Sequence, residues 1–183
     1  MTERRRPRLT LSHSTLYARD IDSLSAFYRD VLGFHVTDRG PVPGGGEIVF
    51  LSQDPAEHHQ IAMVSAEDTP PAGFVMVEHL AFRTGSLDDL RALQTTLAEA
   101  GVEGVLPICH GNAFSLYFPD PEGNGVECFV DSPFHVAQPF AQGLDLTATD
   151  EEIVETTRAM LAEEAGFQPV EAWRSEFGRA LDA

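Results

Sequence analysis

The sequence predicts an α+β fold: two tandem βαβββ units forming a cupped mixed sheet around a cleft, with C-terminal helices. Three observations predict it. Stretches of alternating polar and apolar residues recur at strand period, with one helical stretch in each set. The order of strand, helix and three strands occurs twice, with 66 positions separating His13 from His79 and 68 separating Gly33 from Gly101. Corresponding points therefore keep register to within a loop's variation, and such a period decides the fold class. After Asp131 the pattern gives way to helical periodicity. Two paired units also spare each other exposed sheet edges.

The bulk properties set the outer bounds. A chain of 183 residues can bury one substantial core or two small fused modules. The sequence divides into a basic tail (1–8), a first unit (9–66), a second unit (75–131) and a helical extension (132–183), which together make one functional domain. A net charge of -17 argues against nucleic acid and anionic membranes as partners, because phosphate binding needs basic stripes. Arg4, Arg5, Arg6 and Arg8 read as a solvated terminus rather than a nucleic-acid arm. No apolar run reaches bilayer length and no signal peptide is expected. Two cysteines, Cys109 and Cys128, make no disulfide framework and fit a reducing cytoplasm.

In chain order, Leu9 to Ala18 alternates as a strand, with Leu11, His13, Thr15 and Tyr17 on one face. Asp20 or Asp22 caps a helix whose inner side is Leu24, Phe27, Tyr28, Val31 and Leu32, and Gly33 stops it. Phe34 to Thr37 starts a strand, 40–46 is a Pro/Gly-rich loop, and 47–52 and 59–65 are two further strands. Glu67 to Gly73 is a linker. The second unit opens with a strand over 76–83, with Val77, His79 and Ala81 on one face. Ser86 caps the next helix with Asp89 as its capping-box partner, Leu87, Leu90, Leu93 and Leu97 form the buried stripe, and Gly101 ends it. Strands follow over 102–108, 113–118 and 126–130. In the extension, 133–143 is an irregular connection, Thr149 caps a helix with Ile153, Thr157, Met160 and Leu161 inward, and Pro169 begins a last short helix through Trp173, Phe177 and Leu181. These helices carry no identifiable chemistry, and their apolar side leaves room for a homo-oligomer.

The stretch Ser115 to Val130 concentrates the chemistry. Pro119 to Gly125, PDPEGNG, is dense turn sequence between two strands. Glu127 and Phe129 are two apart on the second strand and share a face. A carboxylate on a largely apolar strand needs a partner, and a metal ion is one such partner. His13 and His79 occupy the same place in the two repeats, the middle of each unit's first strand. Taken singly, each of these residues is more commonly a hydrogen-bonded core or surface group than a ligand; the matched placement of His13 and His79 favours the pair. Two histidines and one carboxylate on one face of an octahedral ion leave open positions, the ligand set of non-haem Fe(II) oxygen chemistry, so the cleft reads as a metal cleft.

The strand openings LSHSTLYA and VEHLAF and the segment YFPDPEGNGVE resemble the vicinal oxygen chelate superfamily, which holds the glyoxalases, the fosfomycin and bleomycin resistance proteins and the extradiol ring-cleaving dioxygenases. The resemblance covers roughly Leu9 to Asp131, and within the superfamily the chain is most similar to a single-domain type I extradiol catechol dioxygenase. Those enzymes carry a Tyr ten residues before the ligand Glu, as Tyr117 stands before Glu127. They carry a His in a His-x-[Ile/Val]-Ala context before the second ligand strand, matched by His59-Gln60-Ile61-Ala62, and a His-Gly pair before the Tyr, matched by His110-Gly111. The interval from His59 to His79 is lengthened by EDTPPAG.

The resemblance implies Fe(II), with Mn(II) fitting the same ligands His13, His79 and Glu127, and an aromatic diol and O2 as reactants. Tyr117 is then the candidate base for the second diol proton, His59 the acid that donates to reduced oxygen near neutral pH, and His110 a hydrogen-bond donor to the bound diolate. Phe114, Phe129 and residues of 133–143 are the expected pocket walls. Three other functions compete. A glyoxalase-like isomerase or lyase needs a carboxylate from each half, and HHQIAMV in the first half contains none. A metal-free binding module has no use for the three ligands. A fosfomycin-type thiol transferase shares them but does not require His59 and Tyr117.

Overall fold

The computed structural model describes residues 11–42, 45–66 and 79–181. The chain divides into two compact units, Met1–Phe74 and Val75–Ala183, so the helical extension belongs to the second. Among the described residues no helix is long and apolar enough to cross a membrane.

The first unit consists of β1 (Ser14–Ala18), α1 (Ile21–Asp30), β2 (His35–Pro41), β3 (Glu47–Ser52) and β4 (Ile61–Ser65), the βαβββ order that the repeat predicts. Its sheet runs β1-β4-β3-β2, with β1 parallel to β4 and the other pairs antiparallel. The Asp20 side chain accepts from the Ser23 amide and so satisfies an orphan donor of the first turn of α1. Leu24, Phe27 and Tyr28 bury the inner stripe of α1 with Val49, Leu51, Ile61 and Met63 of the sheet. Gly33 leaves the helix at φ 77, a left-handed conformation that a side chain would disfavour. On the other face of this sheet Phe50 pairs with Ala62.

The second unit repeats the plan with β5 (His79–Arg83), α2 (Leu87–Glu99), β6 (Leu106–Cys109), β7 (Ala113–Pro119) and β8 (Gly125–Asp131). The order β5-β8-β7-β6 reproduces β1-β4-β3-β2, again with the first strand parallel to the last. Phe114, Leu116, Phe118, Val126 and Cys128 are buried on the side of α2, where Leu87, Leu90 and Leu97 meet them. The turn between β7 and β8 is locked by Asp120. Its carboxylate accepts from the Glu122 and Asn124 amides and from the Asn124 side chain, each at 2.8–2.9 Å. Burial raises the Asp120 pKa, and those hydrogen bonds offset part of the rise.

The extension then adds β9 (Phe134–His135), β10 (Gln142–Gly143), α3 (Asp150–Leu161), β11 (Gln168–Pro169) and α4 (Val170–Leu181). β10 continues the sheet beside β6, and β9 pairs with β11. A full capping box between Thr149 and Glu152 starts α3. Arg91 of α2 ties the loop before α3 to the unit by donating to the Leu146 and Ala148 carbonyls at 2.9 and 2.8 Å.

Several sequence expectations shift. β1 begins at Ser14, so His13 stands one residue before it rather than mid-strand, and β4 begins at Ile61, leaving His59 in the preceding loop. The ladder hydrogen bonds there are made by the neighbouring backbone, Ser14 N to Gln60 O at 3.0 Å and Gln60 N to Leu51 O at 2.9 Å. β2 runs on to Pro41 because Arg39 and Gly40 keep their pairing with β3. β6 is confined to four residues, with Gly104 at φ 75 just ahead of it. Residues 133–143, expected to be irregular, contain β9 and β10, and Pro169 closes β11 so that α4 starts at Val170. At α2 only half of the capping box forms: Ser86 Oγ accepts from Asp89 N, while the Asp89 carboxylate takes the Gly85 amide. The basic tail, the start of the first strand at Leu9, residues 76–78 and the linker 67–73 lie outside the described residues.

Candidate active site

Strand alternation decides which side chains of the second unit share a face. In β8, Glu127 and Phe129 point away from α2, and the pairings Tyr117↔Glu127, Ser115↔Phe129 and Ala81↔Glu127 carry that face across the sheet. β5 contributes His79, two residues from Ala81, and Ile108, two residues before His110, pairs with Ser115. The pleat therefore gathers His79, Glu127, Tyr117 and His110.

Their polar atoms form a connected chain. His79 Nε2 is 3.2 Å from Glu127 Oε2. The Tyr117 hydroxyl donates to Glu127 Oε1 at 2.8 Å and lies 3.0 Å from His110 Nε2. His110 Nδ1 lies 2.9 Å from the Phe140 carbonyl oxygen, which can only accept, so Nδ1 carries a hydrogen. Glu127 is 8% exposed, and a carboxylate so buried needs partners for both oxygens; it has them. The His79 ring also meets the Tyr117 ring edge-on at 5.4 Å. Arg83 lies over the Phe129 ring at 4.6 Å on the same face. Next to Glu127, Cys128 points into the α2 side, and burial pushes its thiol up to about 12.

In the first unit, His13 and His59 come together with ring centroids 4.4 Å apart. His59 also packs on Phe50 at 4.8 Å, and His58, exposed, lies beside it with the two Nδ1 atoms 3.0 Å apart. Burial lowers the His59 pKa, and the His13 and His58 rings act in the same direction.

The donor set of the second unit fits a divalent metal. Two ligand atoms that sit about 2.1 Å from one ion at a right angle are about 3 Å apart, close to the 3.2 Å between His79 Nε2 and Glu127 Oε2. One imidazole nitrogen and one carboxylate oxygen suit Fe(II), Mn(II) and Zn(II) alike. Among the described residues no group of three His, Cys, Asp or Glu side chains is gathered as a ligand set. The second unit supplies two donors by itself.

Of the expected pocket walls, Phe129 is on the face of Glu127. Phe114 is not: it is 1% exposed among the residues facing α2, because it is three positions from Tyr117 and so points to the opposite side. The 133–143 segment reaches the site through the Phe140 carbonyl. A backbone acceptor leaves no trace in residue type, so the sequence carried no signal for it. The register also shows what the first unit lacks. Phe50↔Ala62 is the counterpart of Tyr117↔Glu127, so Ala62 occupies the place of the carboxylate.

The family described as the glyoxalase/bleomycin resistance protein/dioxygenase superfamily matches residues 10–128. Two curated relatives from Rhodococcus globerulus are similar. Biphenyl-2,3-diol 1,2-dioxygenase 3 is 34% identical over 130 residues, which cover 67% of this chain and 63% of that one. Biphenyl-2,3-diol 1,2-dioxygenase 2 is 33% identical over 125 residues, covering 66% and 62%. The chain thus spans less than two thirds of the length of either relative. Among solved structures, a glyoxylase/bleomycin resistance protein/dioxygenase domain from Frankia sp. EAN1pec superposes with a TM-score of 0.59 at 22% identity, covering 68% of this chain and 93% of that one. The fosfomycin resistance protein FosX from Listeria monocytogenes, complexed with Mn(II) and sulfate, superposes with a TM-score of 0.53 at 18% identity, covering 67% and 93%. These two likenesses concern the fold, and with the family match they lead to one conclusion: the chain belongs to the glyoxalase/bleomycin resistance protein/dioxygenase superfamily.

Proposed function

We propose that the protein is an extradiol ring-cleaving dioxygenase that acts on a catechol-type aromatic diol with O2, using Fe(II), or Mn(II) in the same ligands. The observation that carries this reading is the chain His79–Glu127–Tyr117–His110, in which a phenol is hydrogen-bonded to a candidate ligand carboxylate. Support comes also from the two relatives at 34% and 33% identity, both named as biphenyl-2,3-diol 1,2-dioxygenases. His79 and Glu127 hold the metal, with His13, the counterpart of His79 in the first repeat, as third ligand. When bound, the metal supplies the electron transfer between diol and oxygen that organic side chains cannot.

The chain's own residues do the proton work. Tyr117 gives its own hydroxyl hydrogen to Glu127 Oε1 or His110 Nε2, the acceptors on either side of it, as its oxygen takes a proton from the diol. His110 donates from Nε2 towards the diolate oxygen once it holds that proton. His59, whose ring packs beside that of His13, is the donor to reduced oxygen. The buried free thiols Cys109 and Cys128 support a reducing compartment, and we assign the reaction to the cytoplasm. The isomerase reading is disfavoured by Ala62, which stands where a carboxylate of the first unit would be needed.

The test is oxygen uptake by protein loaded anaerobically with Fe(II), offered catechol, 3-methylcatechol and 2,3-dihydroxybiphenyl. The expected result is uptake with growth of a yellow ring-opened product, strongest with the two-ring diol that the relatives' names indicate. Full metal occupancy without uptake on any diol overturns the dioxygenase reading in favour of a transferase, and no metal binding favours a binding module.

A further inference from the structure

The family match ends at residue 128, yet the ring of His110 is held from beyond that limit. The Phe140 carbonyl accepts from Nδ1, and the Gln138 side chain fixes where that carbonyl lies. Gln138 Oε1 accepts from the Phe140 amide at 3.0 Å, while its Nε2 donates to the His110 carbonyl at 2.8 Å and approaches Asn112 Oδ1 at 3.4 Å. One amide side chain therefore bridges the backbone of His110 and the backbone of the residue that grips its ring.

The turn beneath His110 is pressed onto the same extension. Gly111 adopts φ +74, and a Cβ there would lie 2.6 Å from Val136 and 3.1 Å from Leu161. Val136 and Leu161 are buried with Phe134 in a cluster that Phe140 also joins. Ser132 Oγ donates to the Gly111 carbonyl, and Gln142 of β10 pairs with Cys109. Backbone on both sides of His110 is thus fixed by residues 132–142 and α3.

We propose that the segment Gln138–Phe140 is a positioning element for His110, setting its ring orientation and its Nδ1–H tautomer so that Nε2 meets the Tyr117 hydroxyl. Which imidazole nitrogen carries the hydrogen is set by the bond the other nitrogen makes, and here a carbonyl decides it. Gln138 is the positioning residue within the segment. The inference rests on the reading of His110 as part of the site, but its physical content, one tautomer and one orientation, holds in the metal-free chain.

The experiment follows from that. Long-range 1H–15N NMR of the histidine side chains in the metal-free full chain should show His110 protonated at Nδ1. Gln138→Ala should shift His110 towards a mixture of tautomers, with a melting temperature close to that of the unaltered chain because Gln138 is exposed. Gln138→Glu, which keeps the acceptor for the Phe140 amide and loses the donor to the His110 carbonyl, should give an intermediate shift. In the Fe(II)-loaded enzyme Gln138→Ala should lower kcat on 2,3-dihydroxybiphenyl by roughly 10-fold, the lower end of effects seen when a supporting hydrogen bond to a site residue is removed, with KM little changed. An unaltered chain whose His110 is protonated at Nε2 alone, or a Gln138→Ala variant that leaves tautomer and kcat untouched, overturns the inference. Absence of turnover in the unaltered, metal-loaded chain overturns the dioxygenase reading instead, and the NMR result still decides the positioning.

Discussion

Glu127 has a neighbour for each carboxylate oxygen, His79 on Oε2 and Tyr117 on Oε1, and the two neighbours do different things. His79 sets a second potential donor atom beside the carboxylate, whereas Tyr117 donates a hydrogen bond to it. Their removal should therefore separate binding from rate. His79→Ala should abolish metal occupancy, measured by elemental analysis after gel filtration, and turnover with it; full occupancy in that variant would mean the ligand assignment is wrong. Tyr117→Phe keeps the ring, should keep the metal, and should lower kcat by 10²-fold or more, the usual scale for losing a positioned acid–base group. Glu127 and Phe129 were legible as sharing a face because a strand has period two, whereas Tyr117 and His110 rested on the family resemblance; the pairing Tyr117↔Glu127 then sets the phenol opposite the carboxylate. The same rule, applied to Phe114 and Tyr117, puts them on opposite faces, so the expectation of Phe114 as a pocket wall failed on a parity that the sequence already contained. Gln138 and Phe140 were not legible, since they act through a surface amide and a backbone carbonyl.

At the scale of elements, caps and stripes were read well and ends less well. The Thr149 capping box starts α3 with two reciprocal hydrogen bonds, and Thr149→Ala should cost about 1 kcal/mol in chemical unfolding. Leu90 is fully buried between α2 and the sheet, so Leu90→Ala should cost about 2–5 kcal/mol by the same measurement. The ends of β4 and β6 differ from the expectation because ladder pairing with the neighbouring strands, not residue type, sets them. The attachment of α4 was also invisible: Asp131 at the end of β8 pairs with Arg83 of β5 and with Arg174 of α4, the latter at 2.6 Å. Partial burial alone would raise the Asp131 pKa, but the hydrogen bonds and charges of Arg83 and Arg174 outweigh it and hold the carboxyl below its usual range. A depressed folded pKa contributes stability above the unfolded value of about 3.9 and loses it as pH falls through the folded one. Asp131→Asn should thus lower the melting temperature at pH 7, and the gap to the unaltered chain should close as pH falls below about 4. A gap that persists unchanged to pH 2.5 would show that the aspartate acts by shape alone.

For the whole molecule, the repeat was legible from matched histidines and glycines, and the structure shows where its two copies differ. Both sheets share one order and one register, yet Tyr117↔Glu127 in the second is Phe50↔Ala62 in the first. Duplicated geometry with a single carboxylate leaves the phenol–carboxylate pair to the second half alone. Over both halves lies a charge of -17, from 29 acids against 12 bases. Local ion pairs such as Arg39 with Glu47 and Asp22 are surface pairs, each contributing about 0–1 kcal/mol, and salt weakens them. The unmatched acids repel one another across the molecule, and salt weakens that too, with a screening length of about 10 Å at 0.1 M. The two effects have opposite signs in the melting temperature. With acids outnumbering bases by more than two to one, repulsion is the larger, so raising NaCl from 10 to 200 mM should raise the melting temperature of the metal-free chain. A fall over that range would mean that the paired arginines dominate, and Arg39→Ala would then remove most of the salt dependence.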